Sequence, residues 1–238
     1  MRITIVGTGR AGSAFSLALR RAGHAVTLVH HDELEGIDGS DLVLLAVPDD
    51  ALAEVAALIP PSPERVLAHL AGSRGLSVLA PHPRVASVHP LVTMPTPERG
   101  AARLVGASFA VSGDELAVSL ADSLGGRVIR VPDERRAAYH ATAAVAANHL
   151  VALMGHVEAL ADAAGLRLAD FLALSEMALD DVRELGPERA LTGPAARGDM
   201  ATIDAHLAAI PESQRATYVA LVNAAFELAE RRRSQTLA

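Results

Sequence analysis

Three glycines, Gly7, Gly9 and Gly12, follow the β-branched run Ile3–Thr4–Ile5–Val6 and precede a helical pattern of Ala14, Phe15, Leu17, Ala18 and Leu19. Strand, then G-x-G-x-x-G, then helix is the order in which a chain can hold a dinucleotide pyrophosphate. Gly7 permits the tight turn and Gly9 lets the backbone approach the anion. Gly12 lets the helix sit close on the strand, so that the amides around Thr8, Arg10 and Ala11 point at negative charge. A second strand pattern, Ala25–Val29, runs into His30 and His31. An acid there would hold a ribose diol and repel a 2′-phosphate, so two imidazoles predict NADP(H) ahead of NAD(H). Counting from Gly12 nominates Asp32 instead.

Proton chemistry has few carriers in this chain. Cysteine is absent, and all 21 basic residues counted as lysine plus arginine are arginine. Thiolate catalysis, Schiff-base chemistry and a lysine acid are thereby excluded. Histidine is left as the neutral-pH donor. His89 precedes Pro90, which holds it extended. His140, Ala144 and Asn148 are spaced four apart on a helical stretch and share a drifting stripe. Asn148 is locally unfavourable inside an alanine-rich helix, which calls for a partner. His149 and His156 have helical spacing for a metal, but no third ligand joins them; they read as packing or interface histidines, and no metal site is expected.

Placing these groups requires an α/β domain. The nearly unbroken apolar run Asp41–Val47 fits a parallel strand covered on both faces, with Val47, Pro48 and Asp49 at the cofactor rim. Runs at Arg65–His69, leading to Gly72 and Ser73, and at Val85–Val88, leading to His89, put small or polar residues at strand ends. Phe109–Val111 and Arg127–Val131 complete a doubly wound, Rossmann-like parallel sheet of about seven strands. From Asp133 the period turns helical and stays so. The expected architecture is therefore a nucleotide-binding domain over residues 1–131 and an all-α domain over 132–238. Within the latter, Thr192 to Asp199 is a polar, glycine-rich island whose Arg197 can fork onto a carboxylate. The net charge of −7 argues against a nucleic-acid surface. No apolar leader opens the chain and no unbroken apolar run reaches membrane length, so a cytoplasmic protein is expected. Only 3% of residues are aromatic, so the helices must pack through alanine, leucine and valine. Helices that are apolar all round predict a homodimer through the helical domain.

Taken together, Gly7–Gly12, Ala46–Val47–Pro48–Asp49, His69 with Gly72–Ser73, His89–Pro90, Tyr139–His140, Asn148 and Leu191–Pro194 with Arg197–Asp199 resemble a bacterial family. Its members join a Rossmann-like domain to a helical domain of unknown function. More distantly the chain resembles the 6-phosphogluconate dehydrogenase superfamily, including pyrroline-5-carboxylate reductases and ketopantoate reductases. The resemblance implies an NADPH-dependent reductase of a small 2-oxo acid, with ketopantoate the leading substrate. In that reading His140 supplies the proton, His89 supports it and Asn148 holds the carbonyl oxygen, while Arg197, Thr192 and Ser73 contact the carboxylate substrate. The alternatives are an imine reductase and an NADP(H)-binding regulator without turnover. One departure stands out: related β-hydroxyacid dehydrogenases carry a lysine one turn before the helix asparagine, and this chain has Ala144 there.

Overall fold

The computed structural model describes residues 1–34 and 37–236. Among them seven strands form one sheet: β1 (Arg2–Val6), β2 (Ala25–Val29), β3 (Leu42–Leu45), β4 (Val66–His69), β5 (Val85–Pro90), β6 (Ser108–Gly113) and β7 (Arg127–Arg130). Their spatial order is β2-β1-β3-β4-β5-β6-β7. Every neighbouring pair is parallel except β5 with β6, which is antiparallel with His89 opposite Ala110. The sheet is the expected doubly wound, seven-stranded one, mostly parallel, with a single antiparallel pair. The segment after β5 returns to the edge it left, since the Leu91 amide donates to the Ser108 carbonyl at 2.8 Å. A strand that starts at the edge where its neighbour ended must run the other way.

Two layers cover the sheet because its central strands are apolar on both faces. Leu42 and Leu44 of β3 join a cluster with Phe15 and Leu19 of α1 (Arg10–Arg21), Leu104 of α3 (Pro97–Leu104) and Leu120 of α4 (Leu116–Ser123). Val43 and Leu45 face the opposite cluster, with Leu52 and Val55 of α2 (Leu52–Ala57). All four residues of β3 are fully buried. At about 1.5–3 kcal/mol for each such side chain, this strand anchors the sheet's centre. The first helix ends as a glycine stop requires: Gly23 has φ +86°, and the His24 amide reaches back to the Leu19 carbonyl at 3.0 Å.

Helical structure starts at the expected place. α5 (Arg136–Ala144) leads into a π-helical turn, Val145–His149, and then α6 (Leu150–Ala163). The chain groups into two compact units, Met1–Ala147 and Asn148 onward, so α5 belongs with the sheet although its composition is helical. The second unit continues with α7 (Leu172–Leu185), α8 (Pro187–Ala190), α9 (Gly193–Arg197), α10 (Met200–Ala209) and α11 (Glu212–Thr236). Its interior is thin, with Ala161, Ala195, Ile203 and Ala229 buried, while Val151, Leu174 and Met177 are exposed. His156 is one of its packing residues, its Nδ1 lying 2.7 Å from Gln214 Oε1.

One sequence expectation needs amending. The helical stretch Asp133–Ala163 spans 31 residues with a mean hydropathy of 1.3 in its most apolar window, enough by length and composition to cross a membrane. Counting unbroken apolar runs missed it because Tyr139, His140, Thr142 and Asn148 interrupt the run without lowering its average below that of a span. Core and subunit-interface helices share this composition.

Candidate functional site

The glycine loop has the geometry that its spacing implies. Gly7 stands at φ +116°, where a Cβ would come within 2.5 Å of the Ala46 carbonyl oxygen. A Cβ on Gly12 would lie 1.8 Å from the Gly7 carbonyl oxygen, so neither position accepts a side chain. Around Gly9, by contrast, nothing lies within 4 Å of such an atom. Gly9 caps α1 without a side-chain bond, and no acid occupies the first turn. The result is an open helix N-terminus with free approach to backbone amides, the cradle a pyrophosphate fits. Thr8 and Arg10 are exposed beside it and Ala11 is half-buried. Pairing of β1 with β3 sets Ala46 and Val47 against this loop, the Ala46 amide donating to Val6 at 2.8 Å.

Farther along the same sheet edge, β3 and β4 are tied together beyond their ends. Ser73 Oγ donates to Asp49 Oδ2 at 2.5 Å. Asp49 is thus engaged by a neighbouring strand end, and α2 has no side-chain cap. Pro48 is exposed at this rim.

Gly72, His89, Tyr139 and His140 converge within the first unit. A Cβ on Gly72 would meet His140 Cδ2 at 2.6 Å and His89 Cε1 and Nε2 at 2.8 Å. The two imidazole centroids are 6.0 Å apart. His89 Nδ1 is hydrogen-bonded to the Tyr139 hydroxyl at 2.6 Å, with the rings edge to face. Burial, reinforced by His140 and Arg136, pushes His89 down to about 4. Burial pushes the Tyr139 phenol up to about 12. At neutral pH both are uncharged, and half-buried His140 is the other imidazole at this point. Tyr139 also borders a groove of about 310 Å³ lined by Arg130, Pro132, Arg135 and Thr142.

Beneath this cluster lies a polar layer of which the sequence singled out only His69. His69, Ser87 and Ser112 are register partners across β4, β5 and β6 and so share one face. Arg136, 1% exposed, donates to Ser112 Oγ at 2.6 Å and lies 3.5 Å from Asp133. Asp133 in turn accepts from the Leu76 amide at 2.7 Å. Arg136 thereby bolts the start of α5, and with it Tyr139 and His140, to the sheet edge. His69 is fully buried, and neither ring nitrogen meets a partner at good geometry. Burial first, and Arg136 second, push it down to about 4. The only sequence signal for Arg136 was an arginine three residues before Tyr139 on a helix otherwise rich in alanine.

Other candidates are placed differently. His30 and His31 both turn onto Asp32, at 3.2 and 3.1 Å, so the acid nominated by counting sits between the imidazoles nominated by position. Asn148 is exposed on the π turn, and no hydrogen bond engages its side chain among the described residues. The expected stripe from His140 assumed 3.6 residues per turn, which a π turn does not keep. In the second unit, Thr192 caps α9 without a side-chain bond and Arg197 closes it, exposed, its Nη2 3.8 Å from Asp199 Oδ2. Asp199 accepts from the Thr202 amide at 3.1 Å and caps α10.

The structure is similar to that of protein BF3122 from Bacteroides fragilis, with a TM-score of 0.80 at 22% identity over 94% of this chain and 97% of that one. Protein TM1727 from Thermotoga maritima gives 0.78 at 23% identity, over 97% and 99%. A reductive aminase from Aspergillus terreus, solved with NADPH and ethyl-5-oxohexanoate, gives 0.67 at 18% identity, over 95% and 93%. At these identities the likeness is one of fold. No curated protein matches the sequence. Residues 107–225, half of the chain and including Tyr139, His140 and the Thr192–Asp199 island, match the family described as Domain of unknown function (DUF2520), and the chain belongs to that family.

Proposed function

We propose that the protein is an NADPH-dependent reductase of a small 2-oxo acid, with ketopantoate the leading substrate. The observation that carries this reading is the His89–Tyr139–His140 cluster around Gly72, on the sheet edge that also bears the open glycine loop. The amides of Gly9 to Gly12 would hold the pyrophosphate, with Val47, Pro48 and Asp49 along its rim and His30 and His31 at the ribose. Hydride donation is the chemistry a nicotinamide supplies when bound. His140 gives the proton to the reduced carbonyl oxygen. Neutral His89 accepts from the Tyr139 hydroxyl at Nδ1, which leaves its own proton on Nε2, toward Gly72 and the substrate oxygen. The roles of Asn148 at the carbonyl, and of Arg197, Thr192 and Ser73 at the carboxylate, rest on residue type and motif.

Steady-state oxidation of NADPH against a panel of 2-oxo acids and cyclic imines tests the reading. Turnover of oxo acids supports it. Turnover of imines alone moves the assignment to the imine-reductase alternative, which the reductive-aminase fold favours. Nucleotide binding without turnover of any compound leaves a sensor.

Cofactor choice is tested by titrating NADPH and NADH through nicotinamide fluorescence. NADPH is expected to bind more tightly, and His30→Asp, which adds a second acid beside Asp32, to shift preference toward NADH. Equal or tighter NADH binding by the unaltered protein at neutral pH counts against the assignment. The homodimer is part of the same proposal: Val151, Leu174, Met177 and Leu221 expose apolar surface that one chain leaves uncovered. Light scattering is expected to give twice the chain mass; a monomer at micromolar concentration removes the dimer.

A further inference from the structure

His30, His31 and Asp32 are the single group of imidazole and carboxylate side chains whose ligand atoms converge among the described residues, all lying within 4.8 Å of one another. Consecutive residues leaving a strand ordinarily point to opposite sides. Here the Glu33 amide closes a turn onto the His30 carbonyl at 3.0 Å and folds the three residues back. The rings consequently lie together, their centroids 4.2 Å apart and tilted by 43°. His30 Nδ1 is 3.2 Å from Asp32 Oδ2, and His31 Nε2 is 3.1 Å from Oδ1. Metal–ligand bonds of about 2.0–2.1 Å in a tetrahedral set separate adjacent ligand atoms by roughly 3.3 Å. Each imidazole nitrogen is already close to that separation from its own Asp32 oxygen, and the whole set lies within 4.8 Å, so small side-chain rotations would bring three ligand atoms onto one ion. About half of each imidazole and most of the carboxylate are open to solvent, so an ion has a path in. Two nitrogens and one oxygen suit borderline ions; calcium and magnesium want oxygen throughout.

We propose that the turn after β2 binds a divalent transition-metal ion of the zinc class through His30, His31 and Asp32, with water completing the coordination. The proposal uses the two imidazoles that the dinucleotide reading places at the ribose; it is tested without nucleotide, so that its failure and the failure of that reading are distinguishable. The full chain, carrying no added histidine tag, is titrated with zinc chloride by calorimetry and with cobalt chloride by visible absorption. One ion per chain is expected, with a cobalt d–d band of low coordination number. His31→Ala and Asp32→Asn should each weaken binding roughly tenfold or more, and His30→Ala combined with His31→Ala should abolish the band. His149→Ala, at an exposed histidine elsewhere, should leave both signals unchanged. These positions are on the surface, and circular dichroism confirms that the variants fold. No zinc heat and no cobalt band up to millimolar metal overturns the proposal. So does a double variant that keeps the stoichiometry and affinity of the parent.

Discussion

Replacing His140 by alanine is expected to lower turnover on a verified substrate by about a hundredfold, while NADPH binding stays close to normal. The expectation rests on elimination followed by geometry. Lysine and cysteine are absent, Tyr139 is held protonated at about 12, and His89 is held neutral at about 4. His140 meets the same point above Gly72 as His89 does. His140→Gln should not rescue, since an amide can bond to the carbonyl oxygen but cannot deliver a proton. Gly72→Ala should depress kcat by a comparable order while removing no titratable group, because the added Cβ must displace both rings. Wild-type turnover in His140→Ala with inactivity in His89→Ala would reverse the two roles. Full activity in both would make water the proton source.

The second large effect is on stability in acid. His69 and His89 each titrate near 4 in the folded chain, against an ordinary value of 6.5. Between those pH values the unfolded chain takes up protons that the folded chain refuses. Stability from these two groups is therefore complete above about pH 6.5 and is lost as pH falls toward 4. Each histidine accounts for about 3 kcal/mol across that window, an upper figure because the two share Arg136 as a neighbour. The carboxylates held low by arginine or backbone partners, Asp41 and Asp114, weaken the fold only below their ordinary value of 3.8. The two contributions thus separate by pH. Guanidinium midpoints followed by circular dichroism should drop steeply from pH 7 to pH 4.5, and His69→Gln should remove about half of that slope. A midpoint that holds level across the window would mean that solvent reaches these rings.

The polar layer that produces this acid sensitivity was the least legible part of the chain. Arg136 is one of 21 arginines in a helix-forming context, and nothing in its neighbourhood marks it as 1% exposed. Its burial depends on Ser112, 24 residues away, and on Ala71, 65 away. Tyr139 was visible only as the neighbour of His140; its bond to His89 spans 50 residues. Local propensity calls for a partner at Asn148, and among the described residues no hydrogen bond engages its exposed side chain on the π turn.

Residues 1–12 were legible from residue types and their order. Glycine is compulsory where φ is +116° or where a Cβ would fall 1.8 Å from a carbonyl oxygen, so the loop at Gly7–Gly12 was readable from residue types and spacing alone. Strands β1 to β7 and the helical stretch from Asp133 were readable for a related reason, because burial on one or both faces imposes a period on neighbouring residues. The direction of β6 came from packing in three dimensions, since it follows from the edge to which the segment after β5 returns. Tertiary structure alone brought Asp32 between His30 and His31, through a turn whose closure depends on backbone angles. It alone converged Gly72, His89 and His140 on one point, because that meeting is made by strand order and by Arg136 anchoring α5. Local periodicity carries the energetics of burial, whereas convergence of distant side chains is fixed by how the elements pack.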